Sequence, residues 1–102
     1  MLKVAFLNQS EIRMGSPFNV CEIQLSGDWI PNLEKHDWQD VTVSSPDQRF
    51  VALVYWDTSG NRPGFHLVTI DLVERSVTSS DRYLGCCTGI KWLGHEFSPE
   101  VL

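Results

Sequence analysis

Several things are scarce in this chain. Cysteine occurs three times, at Cys21, Cys86 and Cys87. The number is odd, and adjacent cysteines bridge only through a strained ring, far from ordinary disulfide geometry. That argues against a disulfide framework and for a reduced, intracellular protein, with the thiols as small buried hydrophobes. No Cys-x-x-Cys or His-x-x-x-His spacing is present, so no zinc site or other metal is expected. Positive charge is also short: eight basic against thirteen acidic residues leave −5. Such a balance argues against a phosphate-binding surface, and no nucleic-acid partner is expected. No apolar run approaches the ~20 residues of a membrane helix. The start, Met1 to Asn8, lacks a basic region, a long apolar stretch and a small-residue cleavage site. The expectation is a cytoplasmic chain with no membrane partner. A Gly-rich phosphate loop and a convincing helical period are missing too, and no cofactor is expected.

What the chain has is extended structure. With 102 residues, 11.6 kDa and 42% hydrophobic content, it forms one domain, 1–102. Arg49 to Trp56 is rich in β-branched and aromatic residues and follows the turn signal Pro46-Asp47-Gln48. Phe65 to Leu72 follows the breaker run Ser59 to Gly64. Lys3 to Leu7, Phe18 to Leu25, Asp40 to Ser44 and Thr88 to Trp92 add four strands, with weaker ones near Trp29 to Leu33 and Ser76 to Ser80. The tail from Phe97 to Leu102 reads as a frayed end. About eight short strands between turns make the class all-β.

Sliding the chain against itself by 47 residues matches Val4-Ala5 with Val51-Ala52, Phe18 with Phe65, Ile23 with Ile70, Leu25 with Leu72 and Phe50 with Phe97, without a gap. The matches fall inside the expected strands and imply two blade-like repeats, about 3–48 and about 49–97. The stretches Val41 to Val54 and Leu67 to Leu72 carry a Ser45-Pro46-Asp47 turn between two strands, and an apolar-Asp-Leu close at Ile70-Asp71-Leu72. These resemble the repeat of WD40-like and TolB-type β-propellers. Two departures stand out: Gln48 replaces the family's usual glycine, and the second copy reads Trp92 to Phe97 at that turn.

The resemblance implies antiparallel four-stranded, blade-like sheets, two per chain. The first copy would lack its inner strand, and Thr88 to Leu93 would be left as a lone first strand. Propellers need about four to eight blades, so the resemblance implies a ring completed by homo-oligomerisation. A trimer is favoured, by analogy with small two-repeat lectins that form six-bladed rings. The strand Phe50 to Trp56 supports this independently, because both its faces are apolar. A half-buried strand alternates apolar with polar, so this pattern favours more sheets than one chain has; the alternative is a compact monomer whose strands are covered by its own loops and fourth strands.

In such a ring the long loops share one face, where binding is usually carried. The candidate binding residues are Arg13, Met14, His36, Trp38, Trp56, Asp57 and Arg62. Trp38, in the polar run Glu34 to Asp40, is either a contact anchor or a plug for its own blade. A Cys86 or Cys87 nucleophile with His36, His66 or His95 as base has no motif behind it, and no catalytic residue is assigned. The expected function is therefore a non-enzymatic interaction module for a protein or peptide. The alternative is a lectin-like carbohydrate binder. The tryptophans do not repeat between the copies, since Trp56 aligns with Gln9 and Trp38 with Gly85, which shifts weight to the protein partner. An acidic, immunity-type inhibitor fits the charge alone.

Overall fold

The computed structural model describes residues 2–11, 18–59 and 62–102. Among these there are nine strands: β1 (Lys3–Glu11), β2 (Asn19–Ser26), β3 (Trp38–Ser44), β4 (Phe50–Asp57), β5 (Gly64–Asp71), β6 (Ser76–Ser79), β7 (Tyr83–Leu84), β8 (Cys87–Trp92) and β9 (Phe97–Val101). The all-β expectation holds, and every pairing is antiparallel. Strands β1 to β6 form one meander in sequence order, β7 adds to β5, and β8–β9 is a separate hairpin.

Two separate four-stranded sheets are thus not what forms. The second unit, β3 to β6, has its four strands, but the first stops at two and joins the same sheet through the single pair Cys21↔Trp38. No strand forms over Trp29 to Leu33. The tail is not frayed: it makes β9, so β8 is not a lone strand. The 47-residue shift nevertheless carries register. Val43↔Ala52 and Thr42↔Leu53 in β3–β4 become Ile90↔Pro99 and Gly89↔Glu100 in β8–β9.

The two apolar faces of β4 explain the layering. Val51 and Leu53 lie in one core with Cys21, Trp38, Val68 and Ile70, onto which Val4, Phe6, Ile23 and Leu25 of the β1–β2 hairpin pack. Ala52 and Val54 lie in a second core with Phe65, Leu67, Cys87, Ile90 and Phe97, closed by the β8–β9 hairpin. The central sheet is sandwiched by the chain's own two hairpins, and each large side chain so buried contributes roughly 1.5–3 kcal/mol. The demand for further sheets is therefore met within one chain.

Turn chemistry fixes the end of the sheet away from the long loops. Ser45 Oγ donates to Asp47 Oδ1 (2.6 Å) and accepts from Phe50 N–H (3.0 Å), while Asp47 Oδ1 also takes Arg49 N–H (3.1 Å). Gln48 closes this turn at φ 62°. Asp71 ends β5, receives Arg49 at 3.1 and 2.9 Å as a two-pronged pair, and caps Val73 and Glu74 N–H. The Ser-Pro-Asp and apolar-Asp-Leu motifs thus hold neighbouring turns together.

Candidate functional site

The opposite end gathers the loop residues. Asp57, the last residue of β4, accepts from His66 Nε2 at 2.8 Å and pairs with Arg82 Nε at 3.4 Å. Its other oxygen takes the N–H and hydroxyl of Ser59. The Ser59 and His66 bonds, in that order, hold the Asp57 carboxyl well below the usual carboxylate range. His66 Nδ1 lies 3.0 Å from the Ser80 carbonyl oxygen. Arg82 spreads over the loop, donating to the carbonyls of Arg62 (2.6 Å), Ser59 (3.3 Å) and Asp57 (3.4 Å). Its guanidinium lies close to Gly64, and an added Cβ there would meet it at 2.5 Å and have to displace it.

Beside this cluster runs a ring stack. His36 lies flat on Tyr55, with centroids 3.7 Å apart, and Tyr55 stacks on His66 at 4.9 Å. Trp38 meets both His36 and Tyr55 edge-on and is 3% exposed. It is the first residue of β3 rather than a loop residue, and it acts as a plug. Trp56 is buried as well, with Nε1 donating to the Asn19 carbonyl at 2.8 Å and Phe18 against its ring. Neither indole is presented to a ligand. Arg62 is exposed at the loop tip and His36 is half-buried. Arg13 and Met14 lie outside the described residues. The structure therefore brings Asp57 and Arg62 together through Arg82, places His36 on the adjacent stack, and turns Trp38 and Trp56 inward.

Near these residues a cavity of about 390 Å³ lies between β2 and the segment 30–36. Ile23, Leu25, Ile30, Leu33 and Trp38 give it apolar walls, and Glu22, Glu34, Lys35 and His36 add charge and polarity. The same segment borders a second cavity of about 230 Å³ on its other side, towards Tyr55, Val68 and Val77. Composition hid this cavity, because the segment was read as a weak strand.

The thiols form no nucleophile–base pair. Cys87 is fully buried in the core opposite to Tyr55, and burial pushes its thiol up. Burial raises Cys21 to about 11. Both therefore stay protonated at neutral pH and behave as small hydrophobes. Among the described residues no group of His, Cys, Asp and Glu could hold a metal ion, and no helix is long and apolar enough to cross a membrane. No protein-family model, curated protein or solved structure matches this chain.

Proposed function

We propose that the chain is a non-enzymatic interaction module, built from two propeller-type repeats, that binds a protein or peptide at its loop end. The observation that carries this reading is that Asp57, His66, Ser80 and Arg82 lie together at one end of a sheet whose faces are both filled by the chain's own hairpins. Asp57, His66 and Arg82 spend their hydrogen bonds on fixing that end, which leaves a rigid platform bearing Arg62 and His36. Rigid loop platforms bind with little ordering cost. The carbohydrate reading is weaker, because the two tryptophans nearest the loop end, Trp38 and Trp56, are buried.

Assembly into a homo-oligomeric ring, trimer first, is the second half of the proposal. The outer edge of β1 supports it, since among the described residues β1 pairs with β2 alone. The outer edge of β9 works against direct closure. Leu102 N–H bonds Cys86 and Glu96 C=O bonds Leu93, so even-numbered residues of β9 face β8. Pro99 therefore turns outward and leaves a gap among the donors a neighbour would use. A mass in solution of three times 11.6 kDa supports the ring, and a monomer mass removes it. Function is tested by screening the full chain on a random-peptide array and a glycan array. Peptide hits weakened at least about tenfold by Arg62→Glu are expected, whereas glycan hits alone would overturn the reading.

A further inference from the structure

The cavity beside β2 is a break in the sheet itself. The β2–β3 ladder begins at Cys21↔Trp38 and makes no second pair. Continued antiparallel, it would set Glu22 opposite Asp37, Ile23 opposite His36 and Gln24 opposite Lys35. The chain before Trp38 is instead drawn to β4, because the Asp37 carbonyl accepts Trp56 N–H at 2.8 Å and His36 stacks on Tyr55. Among the described residues no backbone hydrogen bond ties 30–36 to β2.

The repeat shows what is missing. In the second unit β6 covers the free edge of β5. The 47-residue shift carries β6 onto 29–32 in the first unit. Pro31 falls inside that stretch, and a proline cannot supply the ladder's donor. The fourth strand therefore fails to form, and the edge of β2 from Glu22 to Ser26 keeps one row of N–H and C=O groups without a strand. That edge borders the cavity of about 390 Å³.

We propose that this cleft takes an extended peptide segment as an added strand on β2, its side chains alternating apolar and basic. The proposal rests on the protein-or-peptide reading above and names its site. Main-chain groups along an open edge are matched by another strand, because only an extended chain offers donors and acceptors at the same repeat. Apolar side chains at every second position meet Ile23, Leu25 and Leu33. The basic ones suit the carboxylates of Glu22 and Glu34, which face a single lysine, Lys35, and His36 in the lining, and the −5 charge of the chain.

The test is an NMR titration of the full chain with a synthetic alternating Val-Lys nonapeptide, read at backbone amides. Three controls accompany it: the same peptide N-methylated at alternate residues, an alternating Val-Glu peptide, and the variant Ile30→Arg, a cavity-wall residue that is 54% exposed. The expected result is shifts centred on Glu22 to Ser26 and Ile30 to His36, with affinity falling at least about tenfold for each control. Equal affinity of the methylated peptide overturns strand addition. Shifts confined to the Asp57–Arg62 end overturn this site and leave the interaction-module reading standing. No shift with any peptide removes the site and weakens that reading with it.

Discussion

Gln48 occupies left-handed backbone, at φ 62°, a conformation that glycine adopts without strain. A side chain there costs roughly 1–2 kcal/mol, partly offset by the greater entropy glycine loses on folding. Gln48→Gly is therefore expected to raise stability by roughly 0.5–1 kcal/mol, read as an upward shift of the thermal midpoint. The neighbouring pair Arg49–Asp71 sets an acid dependence. The two-pronged bond from Arg49 lowers the Asp71 carboxyl to about 2. Its contribution is present above the ordinary carboxylate value, near ~3.9, and is lost as pH falls through the folded value. Asp71→Asn should accordingly lower stability at neutral pH, and the gap to the unmodified chain should shrink between pH ~4 and pH ~2 in acid unfolding. A gap that stayed constant would show that Arg49 does not stabilise the charged form. The turn residues at this end were legible, because Ser-Pro-Asp and apolar-Asp-Leu are local chemistry. Arg82 was not, since its partners are loop carbonyls about 20 residues away.

At the scale of elements, strand existence was read well and strand fate less so. The two-faced pattern of Phe50 to Trp56 announced a strand covered on both sides, because burial on both faces is written in composition. The tail was misread: Phe97-Ser98-Pro99-Glu100 holds a proline and a glutamate, which mask a strand whose first residue is buried. Its register matches β4 under the 47-residue shift, and that match was the available signal. Phe97→Ala should cost about 3–5 kcal/mol, a large share of the stability of a domain this size, measured by denaturant unfolding. A cost near zero would mean that β9 adds nothing to the second core. Trp29 to Leu33 was misread in the other direction. Apolar content suggested a strand, whereas Pro31 and the pull of Tyr55 and Trp56 on His36 and Asp37 keep it apart from β2.

For the whole molecule, the two-faced strand calls for covering layers on both sides. The chain itself provides the covering layers, through β1–β2 on one side and β8–β9 on the other. The candidate site was legible only in outline. Asp57 and His36 were named from the sequence, but the inward turn of Trp38 and Trp56 depends on partners such as Asn19 and Tyr55 that no spacing rule announces. What distinguishes the molecule is a sheet left unfinished along one strand. Residue-resolved amide hydrogen exchange on the free chain tests that most directly. The account predicts that alternate amides of β2 from Glu22 to Ser26, together with those of 30–36, exchange rapidly, while β4 and β5 are protected throughout. Protection of every amide along β2 would mean that the edge is already paired, and would contradict an open edge awaiting a partner strand.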